Sequence, residues 1–180
     1  MYVFARLIGV AFGIIVGLII CFIAFKKMNS DGKLKTEYDE RQSEIRGKGY
    51  QYGFWAEAIY FALLMLLDIS EIKIPAENTV IFFGGIVFGV VVLYTYCIWN
   101  GAYFGLNNNQ KQWTYFLSFF GLFNLAIGIM AYVRGYLVVD GVLTTSFVNV
   151  LCAVMMLLAV AIQSIKNMID SKENMADEES

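Results

Sequence analysis

The 180-residue sequence predicts an all-α membrane protein. The expected architecture is a bundle of five transmembrane helices, N-terminus outside and C-terminus inside, with a cytoplasmic amphipathic helix between helices one and two. Three observations predict it. Apolar residues make up 59% of the chain and mean hydropathy is +0.63, more than a soluble domain of this size buries. They gather in five runs, each near the ~20 residues a helix needs to cross the bilayer core. Between the first two runs lies KKMNSDGKLKTEYDERQSEIRGKGYQY, residues 26–52, which holds seven of the thirteen Lys and Arg.

The spans fall at 2–25, 53–69, 79–105, 114–138 and 145–165. The first is read as an uncleaved helix. Its apolar run exceeds a signal core, no A-x-A-like site follows, and Lys26-Lys27 resemble a stop signal. The second is short but is preceded by Tyr50 and Tyr52. None of the five alternates as barrel strands do. Residues 1–170 form one transmembrane domain, and the polar, acidic 171–180 is expected to be a disordered tail.

Basic residues that flank spans stay on the cytoplasmic side. With 26–52 inside, ten basic residues lie inside and three outside, namely Arg6, Lys73 and Arg134. That topology brings Trp55, Trp99 and Trp113 to the inner interface, where an indole is favoured. Arg6 is expected to snorkel to the outer headgroups.

Several chemistries are disfavoured. The chain has no histidine, no G-x-S-x-G and no metal-ligand spacing. Cys21, Cys97 and Cys152 each sit in an apolar run and read as small hydrophobes. No catalytic residue, metal or cofactor is assigned, and no basic face suggests nucleic acid.

Three groups of residues remain as candidate sites. Gly9, Gly13 and Gly17 lie four apart on one face of helix one, which suits close helix packing within the bundle or between copies. Gly85 and Gly89 make a weaker pair in helix three. Glu57, Asn100, Asn124 and Gln163 are polar residues within spans and are candidates to line an inner cavity. Glu57 is expected about one turn inside helix two; the alternative role for it is a carboxylate favoured by a helix N-terminus.

The third group is in the loop. Thr36 and Asp39 fit a capping box that starts a helix over 36–50, with Gly47, Gly49 and Gly53 bending the chain into helix two. Glu37 and Arg41 are spaced as an ion pair, and Leu34, Tyr38, Ile45 and Tyr52 make a thin apolar stripe. Asp39, Glu40, Arg41, Gln42, Arg46 and Lys48 are the candidate partner-binding residues. A solvated helix with internal ion pairs, or one against anionic headgroups, is the alternative.

The run Tyr38-Asp39-Glu40-Arg41-Gln42, followed by Ile45-Arg46-Gly47-Lys48-Gly49-Tyr50, resembles small bacterial multi-pass membrane proteins of unknown function. These carry a D-E-R-Q then R-G-K segment between early helices. The resemblance covers about 20 residues. It implies a bacterial inner-membrane location and hints at a regulatory pairing, and it brings no activity and no catalytic residue.

The expected function is that of a non-enzymatic membrane module for sensing, regulation or immunity. It binds a cytoplasmic protein through 26–52, sits in the lipid bilayer, and self-associates through helix one. The alternative is a small transporter or substrate-binding membrane component with an inner polar cavity.

Overall fold

A computed structural model describes residues 2–178, with side-chain surroundings for all of these but 2–7, 9, 10, 14, 21, 25, 177 and 178. The elements are α1 (Tyr2–Met28), α2 (Glu40–Ile69), α3 (Asn78–Trp99), α4 (Gln110–Val133), β1 (Val138–Val139), β2 (Val142–Leu143) and α5 (Phe147–Glu178). Among the described residues, five helices are long and apolar enough to cross a membrane.

The helices form a row. α2 packs on α3, α3 on α5, and α5 on α4. Tyr94, Ile98 and Ala159 are buried together where α3 meets α5. Along α4, Gly121 and Gly128 lie two turns apart and admit Leu157 and Val150 of α5. α1 does not pack into this row: Phe12, Leu18 and Phe22 are exposed, and its apolar surface is all-round. In lipid such a surface gains little from joining other helices, because tails are as apolar as leucine.

Glycines set the α2–α3 crossing. A Cβ on Gly53 would stand 2.9 Å from the Gly89 carbonyl oxygen, and one on Gly49 2.9 Å from the Cys97 sulfur. Further along, the rings of Tyr60 and Phe61 lie against Gly85. Bare backbones meet at mid-helix, and rings fill the gap beyond it. The sequence expectation of glycines bending the chain into helix two is therefore replaced. Gly49 and Gly53 lie inside one continuous α2, and their work is close packing on α3.

α2 begins at Glu40, three residues later than a Thr36 cap predicts. Asp39 is the N-cap: its carboxylate accepts from Gln42 N at 2.6 Å, and Gln42 reaches back to Asp39 N, completing a capping box. The 30-residue helix is ~45 Å long, beyond the ~30 Å of a bilayer core. No separate helix covers 36–50; its expected residues split between a loop and the first turns of α2.

Three helix ends share one device. After α3, α4 and α2, the residues Gly101, Gly135 and Glu71 take positive φ of 70°, 74° and 58°. Each closes paired bonds back to the last turn, such as Ala102 N to Cys97 O and Ile72 N to Leu67 O. Those stops end the third and fourth spans earlier than predicted, at Trp99 and Val133. Between α4 and α5 a hairpin turns on Asp140-Gly141, both at positive φ. α5 instead runs past the expected fifth span into the predicted tail. The helix holds through 171–176 and on to Glu178, aided by Ser171 Oγ on Asn167 O at 2.8 Å and a Lys166–Asp170 ion pair one turn apart.

Candidate functional site

At one end of the row, the α1–α2 loop folds onto the α3–α4 loop. Asn29 pairs with Asn108 as a β-bridge, Ser30 N donates to Asn107 O at 2.8 Å, and Leu106 N donates to Glu37 O at 2.8 Å. Asn107 is buried and central. Its side-chain Oδ1 accepts from Glu37 N, and its Nδ2 donates to Lys35 O at 3.0 Å and to Asp31 at 3.2 Å. Asn108 donates to Asn29 Oδ1 at 2.6 Å and accepts from Gly105 N at 2.7 Å. Gly105 has no room for a side chain, since a Cβ would stand 2.5 Å from Glu37 O. Each such bond contributes about 0.5–1.5 kcal/mol net, so together they fix this end firmly.

The D-E-R-Q segment completes the clasp. Gln42 donates to Gly101 O at 3.3 Å and Phe104 O at 3.2 Å. Arg46 reaches Ala102 O at 3.4 Å and lies over the Tyr38 ring, 4.2 Å from its centre. Burial raises the pKa of the Tyr38 phenol, opposed by the Arg46 charge. The Asp31 carboxyl is held below its usual range by the Lys33 backbone N–H first of all.

The six predicted partner-binding residues thus divide. Asp39 caps α2, while Gln42 and Arg46 are half-buried on the α3–α4 loop. Glu40, Arg41 and Lys48 are exposed. Lys48 pairs with exposed Glu44 at 2.7 Å. The expected Glu37–Arg41 pair does not form, because Glu37 precedes the helix; it pairs with Lys33 at 3.2 Å.

The predicted cavity set is not brought together. Asn100 is the C-cap of α3 and donates to Tyr96 O, Asn124 donates to Phe120 O, and Gln163 donates to Asn167. α2 and α4 stand at opposite ends of the row, so Glu57 and Asn124 line no common space. Glu57 lies deeper than expected. It packs on Gly89, the twelfth residue of the 22-residue α3, and so sits at half the height of the row. Among the described residues its carboxylate has no hydrogen-bond or ion-pair partner. Arg46 bonds Ala102 O just past the end of α3, and Trp55 follows nine residues further along α2.

Among the described residues nothing lies within 4 Å of a Cβ at Gly13 or Gly17, so they make no packing contact there; the surroundings of Gly9 and the Arg6 side chain lie outside the described residues. Cys97 and Cys152 are free thiols. No cluster of metal-ligating side chains occurs among the described residues.

A second clasp closes the opposite end. Glu77 accepts from Thr145 N at 2.8 Å and from the Thr145 hydroxyl, and Leu143 exchanges backbone bonds with Pro75 and Glu77. The Thr145 bonds hold the Glu77 carboxyl below its usual range.

Sequence reasoning missed both clasps. Asn107-Asn108-Asn109 between two spans was a readable signal for the first, and Val139-Asp140-Gly141-Val142 for the hairpin of the second. Comparison with family models, curated proteins and solved structures finds no match in any of the three.

Proposed function

We propose that this is a non-enzymatic integral protein of the bacterial inner membrane that binds a cytoplasmic protein at its clasped end. The observation that carries the reading is the division of the D-E-R-Q…R-G-K segment. Asp39, Gln42 and Arg46 are occupied inside the chain, while Glu40, Arg41, Glu44 and Lys48 stand on the exposed side of α2. A rigid base thus presents a compact face of mixed charge, a surface suited to selecting a partner by charge complementarity. The basic residues concentrated in 26–52 support a cytoplasmic location for that end. A photo-cross-linking side chain at position 41 in living cells should yield a discrete protein adduct, and one at position 42 should not. Adducts to lipid alone from position 41 would refute the reading.

A second reading, a small transporter or substrate-binding component, is favoured by one observation. Glu57 stands at half-height with no partner among the described residues, and a carboxylate at that depth is costly to keep. Under this reading Glu57→Gln abolishes the cellular phenotype at unchanged protein level. An unaffected variant removes it.

A further inference from the structure

The end of the row opposite the Asn107 clasp carries a wide cleft of about 1030 Å3 between the end of α2 and the start of α3. Its origin is the α2–α3 crossing. Backbones touch at Gly53 and Gly89, the rings of Tyr60 and Phe61 fill the next level at Gly85, and the helices stand apart beyond. The walls are apolar and include Phe61, Met65, Ile72 and Phe82. Phe61 lies eight residues below the end of α2, so the cleft descends ~12 Å from the helix end toward the bilayer interior. The rim is charged, with Asp68, Glu71 and Lys73. All three are exposed, and none of these side chains has a partner among the described residues.

Glu71 adds an independent observation. It occupies the left-handed position after α2 at φ 58°, where α3 and α4 each use glycine. A side chain there is strained, and strain held at a binding site is a recurrent arrangement. The strained backbone holds a carboxylate at the mouth of the cleft.

We infer that this cleft binds an aminophospholipid, with an acyl chain lying over the Phe61–Phe82 ring pair at its floor, its phosphate on Lys73 and its primary ammonium on Asp68 and Glu71. Two carboxylates and one ammonium complement a headgroup with one cation and one anion. An N–H-bearing ammonium gains charge-assisted hydrogen bonds that a quaternary one cannot make. The site stands whichever side of the membrane this end faces, and it is independent of the partner face at the other end.

The test uses purified, delipidated full-length protein, with thermal unfolding followed against added phosphatidylethanolamine, phosphatidylcholine or phosphatidylglycerol. Phosphatidylethanolamine should bind about tenfold more tightly than the other two, the worth of about one charge-assisted hydrogen bond. Glu71→Gly relieves the backbone strain, so the lipid-free protein should melt higher while the preference for phosphatidylethanolamine falls. Lys73→Ala should weaken phosphatidylethanolamine and phosphatidylglycerol alike. Equal shifts with the three lipids, or a preference unchanged in Glu71→Gly, would overturn the inference. A variant that fails to fold leaves the three-lipid comparison on the native chain decisive.

Discussion

Glycines show most plainly how single residues divide the work. Gly53 and Gly89 have backbone within 3.0 Å of where a Cβ would stand, whereas Gly13 and Gly17 face open space. Gly53→Val and Gly89→Val should each destabilise the protein by about 1–3 kcal/mol, the usual cost of overpacking. Gly13→Val and Gly17→Val should leave the midpoint of thermal unfolding in detergent unchanged. A large loss at Gly13 or Gly17 would mean that helix one packs tightly after all. Within one copy of the chain, the close contact falls to Gly53 and Gly89 rather than to Gly13 and Gly17. The regular ladder in helix one drew the eye, while the decisive pair is split between α2 and α3, and a contact between helices has no spacing along the chain to read. Glu57 was legible as an outlier for its type, but its depth needed the register with Gly89.

At the scale of elements, the spans were legible because apolar length is a one-dimensional property; their ends were not. Stops at Gly101 and Gly135 depend on a positive φ that a single glycine in an apolar run does not announce. In sequence, Gly47, Gly49 and Gly53 suggest a bend between two helices, where the structure has one continuous α2. Position 47 separates the two readings. It lies inside continuous helix, with nothing within 4 Å of a Cβ. Gly47→Ala should therefore stabilise by about 0.5–1 kcal/mol, and Gly47→Pro should cost about 3 kcal/mol. A flexible bend would tolerate the proline. Denaturation of the two variants followed by circular dichroism decides it. Of the six residues that the D-E-R-Q…R-G-K segment offers as a surface, Asp39, Gln42 and Arg46 bond within the chain instead. Whether Gln42 points at a partner or at Phe104 O depends on where the α3–α4 loop lies, and that loop is about 60 residues away in sequence.

The whole molecule is a row of helices tied at both ends by loops that meet across long stretches of sequence. The ties differ in chemistry. The Asn107 clasp is built mainly from amides and backbone, whereas the opposite clasp uses the Glu77 carboxylate on Thr145. Glu77 has a depressed pKa in the folded protein. Its contribution is therefore present above the ordinary carboxylate range and is lost as pH falls through the depressed value. Thermal midpoints should decline on the acid side, and Glu77→Gln should flatten part of that decline; an identical acid profile in the variant would contradict this role for the Glu77–Thr145 contact.

The proposed partner face rests on which end faces the cytoplasm and on which residues of α2 are free there. Sided labelling with a membrane-impermeant maleimide measures both, using Arg41→Cys, Gln42→Cys and Glu71→Cys in otherwise native chains. The account predicts that position 41 labels in inverted membrane vesicles and not in intact cells, position 42 labels far more slowly than 41, and position 71 labels from the opposite side. Labelling of positions 41 and 71 from the same side, or equal rates at 41 and 42, would contradict it.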